Sequence, residues 1–209
     1  TIKPEPVAVA TPSDTEICDD GSFTVGLETN GTSIAADHYL VTTAVSDPGL
    51  TQTSGNVTVG GTVMLAGPTN TISGTFSNAT TSTQTVTYTI VPVSADGCEG
   101  DAITVEVDVW ARPVTMPGPA AICLGDITDI LPNVTQGSGT SVSNYAWTYL
   151  GATATNFNVN DPPVFPLFPN LTVINTENLA IDVSSPLAGQ GLIGFSLVVT
   201  DDNGCTSLP

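Results

Sequence analysis

The sequence predicts an all-β protein built of two tandem antiparallel β-sandwich domains, and three features predict it. Apolar and small polar residues alternate through one short run after another, while no segment keeps a helical period for three turns. Gly, Asn, Asp and Pro break these runs at the intervals expected of turns. Two cysteine-centred segments recur: "EICDDGSFTV" around Cys18 matches "AICLGDITDI" around Cys123, an offset of 123 − 18 = 105, and "YTIVPVSADGCEG" around Cys98 matches "FSLVVTDDNGCTS" around Cys205, an offset of 205 − 98 = 107.

The repeat places the domains at 1–111 and 112–209, joined through the Pro-rich "VWARPVTMPGPA" at 109–120, because proline removes backbone donors and stiffens an extended connection. In the first domain Val86, Tyr88 and Ile90 alternate with Thr85, Thr87 and Thr89. Ile103, Val105, Val107 and Val109 then alternate with Thr104, Glu106 and Asp108. Each run reads as a strand with one apolar face. In the second domain Tyr145, Trp147 and Tyr149 mark one such strand, and Phe195, Leu197 and Val199 another. Short strands at this spacing pack as a sandwich.

Charge removes whole classes of partner. Two basic residues, Lys3 and Arg112, stand against 20 acidic ones, for a formal net charge of −18. Nucleic acid and anionic membrane surfaces are bound through clustered Lys and Arg, so neither is an expected partner. No apolar run approaches the roughly 18 to 20 residues of a spanning helix, which argues against direct membrane insertion. No signal-peptide pattern stands at Thr1, as expected of a mature or excised piece.

Four cysteines allow three pairings. Repeat symmetry favours Cys18 with Cys98 and Cys123 with Cys205, since a domain that folds alone should close its own bridge. The loops would be 98 − 18 = 80 and 205 − 123 = 82 residues long. For such loops the chain-entropy model gives roughly 4 to 5 kcal/mol. Buried free thiols are the alternative, and zinc lacks its CxxC or clustered His ligands. Bridges would place the protein in an oxidising, extracellular setting.

The first repeat, through "ISGTFSNATTSTQTVTYTIVPVSADGCEGDAITVEVDVWARP", resembles the immunoglobulin-like and PKD-like repeats of large Bacteroidota surface adhesins, including gliding-motility adhesins. The second, through "YAWTY" and "ENLAIDVSSPLAGQGLIGFSLVVTDDNGC", resembles their PKD-like variant. The resemblance implies an Ig-like fold at the cell surface, Trp147 on a buried strand, export by the type 9 system, and neighbouring repeats as partners.

Chemistry is sparse. The acidic turns "CDDG", "SADGCEGD" and "TDDNGC" could supply part of a calcium shell, with Asp201 and Asp202 the first candidates, but Asp, Asn and Gly equally build ordinary turns. No other cofactor is implied. Phe165 and Phe168, in the Pro-rich "DPPVFPLFPN", could present an apolar contact to a surface glycan or protein, or plug the end of the sandwich. Asn30, Asn56, Asn78, Asn133 and Asn170 each begin an N-x-Ser/Thr triplet. His38 is the only histidine, and no nucleophile elbow, HExxH or Walker loop occurs, so no enzyme is expected. After Cys205 only "TSLP" follows, where the first repeat continues into another strand. The second domain is thus expected to lack its last strand, either because the chain is a fragment or because another copy donates one. The expected function is a stalk or spacer of a secreted cell-surface adhesin, with a glycan- or protein-binding module or a strand-exchanged filament subunit as alternatives.

Overall fold

The computed structural model describes residues 3–45, 48–66, 70–118, 121, 123, 127–152, 158–159, 175, 177–182 and 191–209, and every regular element in them is a strand. The chain divides into two compact units, Thr1–Ala111 and Arg112–Pro209.

The first unit is a two-sheet sandwich. Its strands are β1 (Ala8–Pro12), β2 (Glu16–Cys18), β3 (Ser22–Thr29), β4 (His38–Val45), β5 (Leu50–Gly55), β6 (Thr62–Ala66), β7 (Thr71–Asn78), β8 (Gln84–Val93) and β9 (Ile103–Trp110). They form one sheet in the order β1-β3-β7-β5 and another in the order β2-β9-β8-β4-β6. The alternation read from sequence becomes the core. Val86, Tyr88 and Ile90 of β8 and Val107 and Val109 of β9 are fully enclosed against Val25 of β3 and Ile72 and Phe76 of β7. Each such side chain contributes about 1.5–3 kcal/mol on removal from water. Gly74 makes room for the rings at the centre: a Cβ there would meet both Phe23 and Phe76, which stack with centroids 6.2 Å apart.

Ladders are antiparallel except at one edge. The three-residue β2 pairs parallel to β9, Glu16 with Asp108, Ile17 with Val109 and Cys18 with Trp110. Two further bonds extend it, Asp108 N–H to Thr15 O and Asp19 N–H to Trp110 O, each 2.8 Å. A strand so short has no readable period, so no alternation announces it.

The second unit contains β10 (Val114–Thr115), β11 (Ile127–Ile130), β12 (Val134–Thr135), β13 (Val142–Ala152), β14 (Asn158–Val159), β15 (Leu179–Asp182) and β16 (Ile193–Asp201). Its ladders are β10-β12, β11-β15-β14 and β13-β16. Trp147 on β13 opposes Leu197 on β16, and both are buried with Leu179, Ile181 and Val199. Tyr145, Tyr149 and Phe195 pack partly buried against this cluster.

Candidate functional site

The polar residues singled out from sequence lie mainly at turns, and the same turn is built twice. After β8, Ser94 N–H donates to Cys98 O, Gly97 N–H donates to Ser94 O, and Cys98 N–H donates to Ser94 Oγ at 3.1 Å. After β16, Asp201 N–H donates to Cys205 O, Gly204 N–H to Asp201 O, and Cys205 N–H to Asp201 Oδ1 at 2.8 Å. Gly97 and Gly204 hold φ of 77° and 85°, a left-handed conformation that side chains resist. Ser94 and Asp201 are both buried. One side-chain oxygen at this position satisfies the cysteine amide, and the sequence supplies it as a hydroxyl in one repeat and a carboxylate in the other.

Asp201 and Asp202 therefore have separate structural tasks. Asp201 Oδ1 also accepts from Asn203 N–H, while its Oδ2 is buried with no hydrogen-bond partner. The exposed Asp202 latches the 139–141 segment: it accepts from Thr140 Oγ1 at 2.6 Å, Thr140 N–H at 2.9 Å and Ser141 N–H at 3.4 Å. The Thr140 hydroxyl holds the Asp202 carboxyl down at about 2, against an upward push from desolvation, and the backbone amides add to the lowering. Among the described residues no three His, Cys, Asp or Glu side chains gather to hold a metal ion.

The cysteines depart from the pairing expected of the repeat. Cys98 and Cys123 are free thiols, half-buried and exposed respectively, whereas Cys18 and Cys205 are disulfide-bonded. Strand geometry explains why Cys18 and Cys98 do not bond. Cys18 lies level with Trp110 at the end of β9, and Cys98 precedes its start, beyond Ile103. Eight strand residues span roughly 23 Å, against the roughly 7 Å Cα separation a disulfide tolerates. Neither free thiol is fully buried, so the alternative of two enclosed thiols does not describe them either.

The first acidic turn is likewise architectural. Gly21 N–H donates to Cys18 O, Asp20 N–H to Phe76 O, and Asp19 Oδ1 accepts from Asn78 N–H at 2.7 Å. Asn78 is buried and bonded on both sides of its amide: Oδ1 accepts from Thr80 N–H and Oγ1, and Nδ2 donates to Ser82 O and Val109 O. Asn56 performs a similar service beyond the end of β5, donating to Thr71 O and accepting from Ser73 N–H, so it extends the ladder with its side chain. Asn30 accepts from Ser33 N–H, and Asn133 donates to Met116 O. Their triplets read identically in sequence whichever role they have.

Asn170, Phe165 and Phe168 lie outside the described residues. The half-buried His38 places its Nδ1 3.1 Å from Oδ2 of its chain neighbour, the exposed Asp37. Sequence reading missed a shallow depression of about 500 Å³ on the outer face of the β1-β3-β7-β5 sheet, floored by Ser22, Thr24, Ser73 and Thr75 and bounded by Ser54. Small hydroxyl side chains create it, and the ring beneath, Phe23, is turned into the core. It offers hydrogen bonds but no stacking surface.

Residues 31–113 match the family model of the PKD-like domain. No curated protein matches the chain. Among solved structures, it is similar to fibronectin(III)-like modules of Clostridium thermocellum CbhA, at 11% identity and TM-score 0.32, covering 96% of this chain and 90% of that one. It is also similar to the D0–D1 domain of intimin, at 12% identity and TM-score 0.31, covering 97% of each. The Yersinia pseudotuberculosis adhesin InvE is matched at 9% identity and TM-score 0.31, over 95% of this chain and 56% of that one, so the chain spans little more than half of it. Likeness at this level transfers no ligand and no site.

Proposed function

We propose that this chain is a spacer: two tandem Ig-like sandwiches from the stalk of an extracellular, cell-surface adhesin, with no catalytic role. The observation that carries the reading is that the acidic and amide side chains singled out from sequence spend their polar atoms on the protein's own turns and ladders, Asp19 on Asn78, Asn78 on Val109 and Asp201 on Cys205. Disulfide-bonded cysteines, which suit an oxidising exterior, support the same reading. The formal charge of −18 keeps neighbouring stalks apart. Origin in a gliding-motility adhesin and export by the type 9 system belong to this proposal and rest on the sequence resemblance.

A glycan array probed with the folded, disulfide-intact protein tests it. The spacer reading expects blank results, and reproducible binding would favour the binding-module alternative.

A further inference from the structure

The sequence contains two Asn-Gly pairs, Asn30-Gly31 and Asn203-Gly204. In such a pair the glycine nitrogen can attack the asparagine side-chain carbonyl, because no Cβ hinders the approach and the nucleophile is already tethered to the electrophile. The fold treats the two pairs oppositely. Gly204 N–H donates to Asp201 O at 3.1 Å, and Gly204 is held at φ 85° inside the cysteine turn, so its nitrogen is committed to the fold. Gly31 is exposed, its N–H makes no hydrogen bond among the described residues, and a Cβ placed there would meet nothing within 4 Å. The Asn30 side-chain carbonyl beside it is held: Oδ1 accepts from Ser33 N–H at 2.7 Å and from Thr32 N–H and Oγ1 at 3.3 Å each. Donors aimed at a carbonyl oxygen stabilise the negative charge that develops on it during attack.

We propose that Asn30-Gly31 is a self-modification site, where the folded turn converts asparagine to aspartate and isoaspartate through a cyclic imide. Gly31 N bonds to Asn30 Cγ as the Cγ–Nδ2 bond breaks; the proton of Gly31 N passes to solvent, and Nδ2 takes one up and leaves as ammonia. Water then opens the imide at either carbonyl, so water is the sole co-reactant and nothing is oxidised or reduced. Opening at the Asn30 main-chain carbonyl leaves Gly31 bonded to Cγ and inserts a methylene into the backbone. The same turn grips the N-terminal segment: Asn30 N–H donates to Val7 O at 2.8 Å, and Val7 N–H donates to Ser33 Oγ at 3.0 Å. Isoaspartate therefore re-routes the backbone where it holds Val7, the residue before β1, and loosens the edge of the β1-β3-β7-β5 sheet. The inference goes beyond the spacer reading, which the glycan array decides separately.

The test is incubation of the purified, folded protein in mildly alkaline buffer, followed by peptide mapping and enzymatic methyl labelling of isoaspartate. Asn30 should convert roughly tenfold or more faster than Asn203, with equimolar ammonia released. In denaturant the two pairs should convert at similar rates, because the fold alone distinguishes them. Gly31→Ala, which has room for its methyl group, should keep its melting temperature and convert Asn30 more slowly than the parent. The isoaspartate form, separated by ion exchange, should exchange the Val7 amide faster than the parent. The proposal is overturned if Asn30 keeps its amide in the folded protein, if Asn203 keeps pace with it there, or if the denatured chain converts Asn30 faster than the folded turn does. It is equally overturned if Gly31→Ala converts as fast as the parent, or if Val7 exchange is unchanged in the isoaspartate form.

Discussion

Asn78 offers the sharpest test of whether the polar residues of this chain are spent on the fold. Asn78→Ala removes four side-chain hydrogen bonds: two from Thr80, one to Ser82 O and one to Val109 O at 2.7 Å inside the core. At roughly 0.5–1.5 kcal/mol each, the ceiling is about 6 kcal/mol. Thr80 Oγ1 already bonds Ser82 O and lies near solvent, so part of that loss is recovered. The Val109 carbonyl has no such recourse, and the net cost should be about 3 kcal/mol. At roughly 4–8 °C per kcal/mol for a domain of this size, the first unit should melt about 15 °C lower. Asn78→Asp should cost more, because a carboxylate cannot donate to the Ser82 and Val109 carbonyls.

The two tryptophans make the assay specific, since Trp110 belongs to the first unit and Trp147 to the second. In a Trp147→Phe background, fluorescence during denaturant unfolding reports the first unit alone. Asn30→Ala, whose amide oxygen serves an exposed turn, is the control and should change stability by under about 1 kcal/mol. An Asn78→Ala protein within about 0.5 kcal/mol of the parent would refute the reasoning. So would a glycan on Asn78 in folded protein, because an attached sugar would displace the Val109 bond.

Two other residues carry opposite expectations. Tyr88 is fully buried, its Oη has no hydrogen-bond partner, and burial pushes the phenol up, so Tyr88→Phe should stabilise the first unit by about 1 kcal/mol; a loss in denaturant titration would reveal a partner for the hydroxyl. The Asp202 carboxyl is depressed from an ordinary 3.8 to about 2. Its contribution is therefore fully present above about pH 4 and is lost as pH falls toward 2. Titration by NMR should follow the carboxyl there, and Thr140→Val should move it back toward 3.8, an unmoved titration showing that the latch is not made in solution.

The strands were legible because period-2 alternation is strong where one face is enclosed: β8, β9 and β16 follow the alternation of Val86, Ile103 and Phe195 with their neighbours. Trp147 was legible for the same reason. What escaped depended on geometry between distant segments. "EIC" is too short to have a period, so the parallel β2 was hidden, and with it the end of β9 at which Cys18 stands. Repeat symmetry aligned Cys98 with Cys205, which occupy equivalent turns, but alignment along the chain says nothing about which end of a strand a cysteine occupies, and the inference of a self-closed bridge failed on that point. Asn78 escaped because a triplet looks the same on a surface loop as in a core. The hydroxyl-lined depression escaped because it is made by what small side chains leave unfilled.

The two cysteine turns separate what an acidic residue does from what an acidic composition does. Both turns place one oxygen against the cysteine amide, yet Ser94 does so without charge and Asp201 with a carboxylate. The turn itself therefore does not require the charge, and the buried, unpartnered Oδ2 of Asp201 is a cost that the serine version avoids. Calcium coordination would need six to eight oxygens. Here the Asp201 Oδ1 and both Asp202 oxygens are already engaged by the protein's own N–H and O–H groups. A cation at this corner would compete with the Thr140 latch for the Asp202 oxygens, whereas the net charge of −18 acts over the whole surface without disturbing any single turn.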